Sequence, residues 1–320
     1  MSEQNARLKN FPISWFAMIM GLSGFAIAWN RAEYIFNPGF CVSSLMTGLT
    51  TFLFVVLALI YAAKLVKYPQ AVLDEIRHPV KQAFAPTFSI ALLLLSIVYL
   101  HIAPVLSFWL WSVGTVVHLA LTLYVLSSWI HHTKYEIAHL NPAWFIPVVG
   151  NILVPVAGMQ HASVEVSWFF FSLGLFFWPV LTAIIFYRLI FHGSLPERFM
   201  PTLFIFIAPP AVGFISWFNL GGGVDAFGRV LYFVGLFFTL LLLGQFNYFR
   251  RLKFFLSWWA YSFPIAAMTI ATFIMARATG LAFYTWLAAG LLGALSLLVL
   301  MLLARTALAV ARREICVEGA

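Results

Sequence analysis

Residues 82–133 read QAFAPTFSIALLLLSIVYLHIAPVLSFWLWSVGTVVHLALTLYVLSSWIHHT, and none of these 52 residues is Asp, Glu, Lys or Arg. A helix crosses hydrocarbon about 30 Å thick in roughly 20 residues, so this stretch holds two spans. His101 and Pro104 place a polar, helix-breaking turn between them. Eight further charge-free stretches follow the same rule, at 10–30, 34–63, 137–164, 166–187, 199–224, 230–249, 254–276 and 278–304. The expected count is ten. Lipid offers the backbone no hydrogen-bond partners, so the spans are expected as helices. The chain lacks the short alternating strands that a β-barrel needs.

Composition agrees. The chain is 63% hydrophobic with mean hydropathy +0.98, and only 9% of its residues are charged. A soluble domain averages about 25% charged. The longest polar connection is Lys64–Lys81. The expectation is one all-α polytopic membrane domain over 1–320, with short cytoplasmic tails at about 1–11 and 306–320. The opening MSEQNARLKN reads as the lead into a retained first helix, since it shows no small-residue cleavage site.

Charge sets the topology. Loops assigned alternately to two sides put fifteen Lys and Arg with both termini, and only Arg31, Arg229 and Arg277 on the other side. Basic loops stay inside, so both termini are expected to be cytoplasmic. The net charge of +8 then reads as topology and lipid headgroup contact, because it is spread over short segments. That spread speaks against nucleic acid as a partner. Cys41 and Cys316 fall on opposite sides and cannot pair within one chain.

The spans are expected at about 12–30, 41–63, 84–101, 105–130, 143–161, 166–189, 201–219, 228–249, 255–276 and 279–304. Proline divides them. Odd spans contain or begin with Pro12, Pro86, Pro147 and Pro155, Pro209 and Pro210, and Pro264; among even spans Pro179 is the exception. Successive prolines 12, 86, 147, 209 and 264 mark a two-helix unit repeated five times. Proline removes a donor and kinks a helix, and a kinked helix exposes polar backbone that lipid will not cover. Five kinked inner helices ringed by five straight outer ones around a central path follow. The plainer alternative is that the prolines only shape packing. Candidates for pore lining or helix kinks are Gly21, Pro86, Asn151, Pro155, Pro209, Pro210 and Pro264. Gly280, Gly290 and Gly293 read as a packing face of the tenth span, within the subunit or between subunits.

No Asp, Glu, Lys or Arg sits in the middle of a span. Proton-coupled carriers usually place such groups there. His118 is the histidine near mid-membrane, and its default role is packing. His131, His132 and His139 lack the spacing of a metal site, so no metal is expected. No phosphate-binding loop, dinucleotide fingerprint or catalytic triad is present, so neither an enzyme nor a cofactor is expected. A neutral path suits passive conduction or a carrier with weak coordination. The sequence shows the anion neither a cationic binding ring nor a size filter.

Several segments resemble the family of plant slow anion channels and bacterial tellurite-resistance TehA proteins. The strongest is Trp258-Trp259-Ala260-Tyr261-Ser262-Phe263-Pro264, opening the ninth span. His78-Pro79-Val80-Lys81, Asn141-Pro142-Ala143-Trp144-Phe145-Ile146-Pro147, Trp178-Pro179-Val180-Leu181 and Ala208-Pro209-Pro210-Ala211 support it in order. The resemblance implies five tandem helical hairpins around a pore, a homotrimer, and a bacterial inner-membrane location. It also implies conduction of small anions such as chloride and nitrate, with Phe263 as the occluding gate. A phenyl ring across a narrow path denies ions their water, which makes that role physical. Related yeast proteins carry malate and sulfite, so a carrier of dicarboxylate or sulfite stands as the alternative, as does a tellurite or toxic-compound efflux protein. The plant channels carry long cytoplasmic tails that kinases act on, and with short tails expected here phosphorylation-driven opening is not carried over.

Overall fold

The computed structural model describes residues 7–316. Ten helices in it are long and apolar enough to cross a membrane: Ile13–Phe36, Val42–Lys67, Lys81–Tyr99, Pro104–His131, Pro142–His161, Val164–Phe191, Glu197–Asn219, Ala226–Leu243, Leu256–Thr279 and Ala282–Ala311. No strand occurs among the described residues. The chain is an all-α polytopic membrane protein, as expected from the charge-free stretches.

The two classes of span differ in backbone as well as in proline. Each even span is one continuous α-helix, and even Pro179 leaves Val164–Phe191 unbroken. Each odd span contains 3₁₀ turns: Ile13–Trp15, Lys81–Phe84, Pro142–Trp144 with Gly150–Leu153, Glu197–Ile207, and Leu256–Tyr261. The tighter 3₁₀ winding bonds less well and is rarely sustained, so runs like that over Glu197–Ile207 mark imposed breaks. The prolines sit where 3₁₀ winding passes to α. Pro86 precedes Thr87–Tyr99, Pro155 starts Pro155–His161, Pro209 and Pro210 open Ala208–Asn219, and Pro264 lies in the first turn of Ser262–Thr279. In a first turn the missing N–H has no partner to lose.

Carbonyls in or near the broken segments find side chains on neighbouring spans. Thr122 Oγ1 donates to Pro147 O at 2.6 Å, Trp111 Nε1 to Val154 O at 3.0 Å, and Ser216 Oγ to Ile152 O at 2.5 Å. Such partners exist only inside protein, so the broken helices pack inside. Burial bears this out: 72–83% of each odd span's most apolar window is buried, against 17–39% for the even spans. The first span packs on the third, the third on the fifth, the fifth on the seventh, the seventh on the ninth and the ninth on the first. That closes a five-membered ring, with each even span packed outside the odd span before it.

Gly21 and Gly24 let the first and ninth spans meet. A methyl group at Gly21 would run into Ser262 Oγ and lie 2.8 Å from Ser262 Cβ; one at Gly24 would lie 2.9 Å from Ala266 Cβ. Gly21→Ala is therefore expected to force the two spans apart at an overpacking cost of about 1–3 kcal/mol. Unfolding in detergent reads it, and an unchanged midpoint would refute the close packing.

Three readings are corrected. The polar connection 64–81 holds a helix, Pro69–Arg77, which carries a strong apolar-to-polar asymmetry and a proline in its first turn. The last span does not end near 304 but continues to Ala311, because Leu302, Thr306 and Ala309 keep one face buried. Gly280 belongs to the end of the ninth span rather than to the tenth, where its φ of 68° caps the helix in the left-handed region that glycine favours. Among the described residues no other part of this chain comes within 4 Å of a methyl added at Gly290 or Gly293, so a packing face there would have to meet another subunit. Of the two tails, residues 1–6 and 317–320 lie outside the described residues.

Candidate functional site

All five odd spans contribute to one cavity of about 650 Å³. Its wall includes Ser14 and Ala17 of the first span, Phe84 and Thr87 of the third, Val149 and Gly150 of the fifth, Pro209 and Val212 of the seventh, and Ala260 and Phe263 of the ninth. The α-helical part of each odd span starts on or next to this wall, at Phe16, Thr87, Phe145, Ala208 and Ser262. Helix starts carry partial positive charge, which favours anions.

The mouth lies where the odd spans begin, on the face that carries most of the basic residues. Lys9, Lys64, Lys81 and Arg198 line it, together with Asp74, Glu75 and Glu314. Lys64 and Glu75 neutralise each other at 2.7 Å. Of the three other lining cations, Lys81 and Arg198 stand near His78, with Lys134 and His139 close by. Burial and then these positive neighbours hold the His78 imidazole below its ordinary pKa. Its Nδ1 accepts backbone N–H groups of Val80 and Lys81 at 3.1 and 3.3 Å. The sequence hid this cationic cluster, because its members come from three separate loops.

Phe263 lies at the deep end. It is half-buried, lines the cavity, and comes from the first turn of an α-helix just past a 3₁₀ break. Its ring lies against Gly24 of the adjacent first span: a methyl at Gly24 would lie 3.3 Å from Cδ2. Beyond it Phe25, Leu94, Ala157, Phe214 and Ala267 are all buried. The lining is thus charged where the odd spans begin, and buried side chains further along the spans are apolar.

The other sequence candidates divide. Pro209 and Pro264 line the cavity beside Phe263. Pro86, Pro155 and Pro210 are not on its wall and act at the 3₁₀-to-α transitions. Gly21 is a packing position between spans one and nine. Asn151 does not face the cavity: it is wholly buried and donates to Thr122 Oγ1 at 2.9 Å and Val148 O at 2.8 Å, on the side of the fourth span.

A family described as voltage-dependent anion channel matches residues 10–307 of this chain. The S-type anion channel SLAH2 of Arabidopsis thaliana is 30% identical over 274 residues, covering 83% of this chain and 52% of the plant protein. An uncharacterized transporter of Methanocaldococcus jannaschii, MJ0762, is 28% identical over 311 residues, covering 89% of this chain and 90% of its own. A tellurite resistance protein TehA homolog of Haemophilus influenzae is 23% identical over 259 residues, covering 80% of this chain and 79% of its own. The chain therefore spans about half the length of that plant channel and most of the archaeal and bacterial proteins.

Proposed function

The chain belongs to the SLAC1 family of voltage-dependent anion channels, and from that membership we propose that it conducts small monovalent anions such as chloride and nitrate through its own five-helix ring. It is a channel or transporter rather than an enzyme. The observation that carries the reading is the cavity itself, walled by all five odd spans, with Lys9, Lys64, Lys81 and Arg198 at its mouth and Phe263 on its wall. We place the basic face in the cytoplasm of a bacterial inner membrane and assemble three copies side by side through the outer helices. In this arrangement Lys81 and Arg198 gather anions at the mouth, an effect that weakens as salt screens it. The phenyl ring of Phe263 stops them by withholding water.

Selectivity follows dehydration cost. Past the mouth the wall holds no Lys or Arg, so nothing replaces lost hydration with full charge. Nitrate and iodide are expected to permeate better than chloride. Bilayer recordings of purified protein with a series of anions test the reading. Current that rises without saturation supports a channel. Saturable, proton-driven flux of dicarboxylate or sulfite would replace it with a carrier, and chloride permeating far better than iodide would overturn the dehydration argument.

A further inference from the structure

Behind the cavity wall lies a polar cluster that occlusion by Phe263 does not use. His118, midway along the fourth span, is wholly buried. Its Nδ1 lies 2.9 Å from Ser89 Oγ on the third span, and that hydroxyl also lies 2.9 Å from the Pro86 carbonyl. A hydroxyl has one proton to give. A carbonyl can only accept, so Ser89 donates to Pro86 and His118 Nδ1–H donates to Ser89. The other ring nitrogen, Nε2, is then a bare lone pair, and no protein atom partners it. A buried polar atom without a partner is costly, so it calls for one.

Nε2 faces the cavity wall at a thin point. Gly150 and Ile90 both line the cavity. A methyl group on Gly150 would lie 2.9 Å from His118 Nε2 and 2.8 Å from Ile90 Cδ1. Gly150 and the end of Ile90, both on the cavity wall, thus pack against the Nε2 edge of the ring, and His118 itself lies just behind them.

We propose that His118 forms a side site of the conduction path that takes up a proton and a small anion together, the imidazolium presenting Nε2–H past Gly150 to an anion in the cavity. The inference rests on the anion-conducting reading above. A buried imidazolium alone is strongly disfavoured. An anion against it restores neutrality, so each ligand raises the affinity for the other by the same factor. The groups facing His118 are Ser89 and Ile90 from the third span, Gly150 from the fifth, and Thr122 on its own helix, which also bonds Asn151. None of these titrates. The charged groups that share the cavity, Lys81, Arg198 and the Lys64–Glu75 pair among them, stand at the mouth with His78.

The test uses Phe263→Ala as the parent, so that current is measurable, with nitrate as the probe at about pH 5.5 and 7.5, either side of the ordinary imidazole pKa. The expected result is a current about threefold or more larger at the lower pH. His118→Gln keeps a hydrogen-bonding group beside Ser89 but cannot titrate, and should flatten the profile. Gly150→Ala sets a methyl against Nε2 and should flatten it as well, which keeps the test decisive if His118→Gln fails to fold. A profile that survives both His118→Gln and Gly150→Ala overturns the side site, as does a parent whose nitrate current ignores pH. A parent with no nitrate current at either pH overturns anion conduction itself, and the side site with it.

Discussion

Phe263→Ala is expected to raise anion current about tenfold or more, the change given by about 1.4 kcal/mol off the conduction barrier. This ring lines the cavity and meets the first span at Gly24. Truncation removes the apolar cap and leaves a gap beside a residue with no side chain. Phe263→Leu keeps much of the bulk and should open the path less. The fold should tolerate both. A phenyl ring sealed in a core costs about 3–5 kcal/mol when cut to Ala, because it leaves a closed void. Phe263 is only half-buried, and the space it vacates joins an existing cavity. Normal yield with wild-type current in reconstituted Phe263→Ala would remove the ring from the gate. Poor yield with no gain in current would make it a core residue.

Much of this arrangement was legible from the residues alone, for two physical reasons. Charge is too costly in hydrocarbon to be placed carelessly, so charge-free stretches count spans. Proline cannot sit in a lipid-facing helix without exposing backbone, so its recurrence separates inner spans from outer ones. Pro86, Pro209 and Pro264 lie where 3₁₀ winding passes to α in odd spans. Pro179 marks its limit: a single proline in an outer helix left the helix whole.

What stayed hidden depends on pairing across the ring. Asn151 looks like a pore residue from its place in a kinked span, yet one step around the helix turns it toward Thr122 while Gly150 lines the cavity. His118 sits on an outer span, which argues for packing, and only the third dimension shows its free nitrogen behind Gly150. Lys64 and Glu75 read as ordinary loop charges, since no periodicity joins residues in two different helices.

That last pair carries the second large effect. Glu75 is buried and holds three groups: its Oε1 accepts the Ile13 N–H at 2.8 Å, and its Oε2 accepts Lys64 Nζ at 2.7 Å and the Tyr61 hydroxyl at 3.2 Å. Lys64 Nζ also donates to the Phe11 carbonyl at 2.8 Å. The pair thus ties the start of the first span to the end of the second and to the helix Pro69–Arg77. Glu75→Ala strands a buried ammonium and frees the Ile13 N–H, so it is expected to cost about 3–5 kcal/mol in unfolding experiments in detergent. Lys64→Met should cost a similar amount by stranding the carboxylate. The combination Lys64→Met with Glu75→Leu removes both charges. It should recover most of the loss, because a buried pair contributes little against apolar groups of similar size. Ile13 N–H would still be unpaired, leaving a residue of about 1–3 kcal/mol. The coupling between the two sites separates this account from a surface ion pair, which is worth only about 0–1 kcal/mol. Single variants that both unfold like the wild type would show that the clamp does not hold the mouth together.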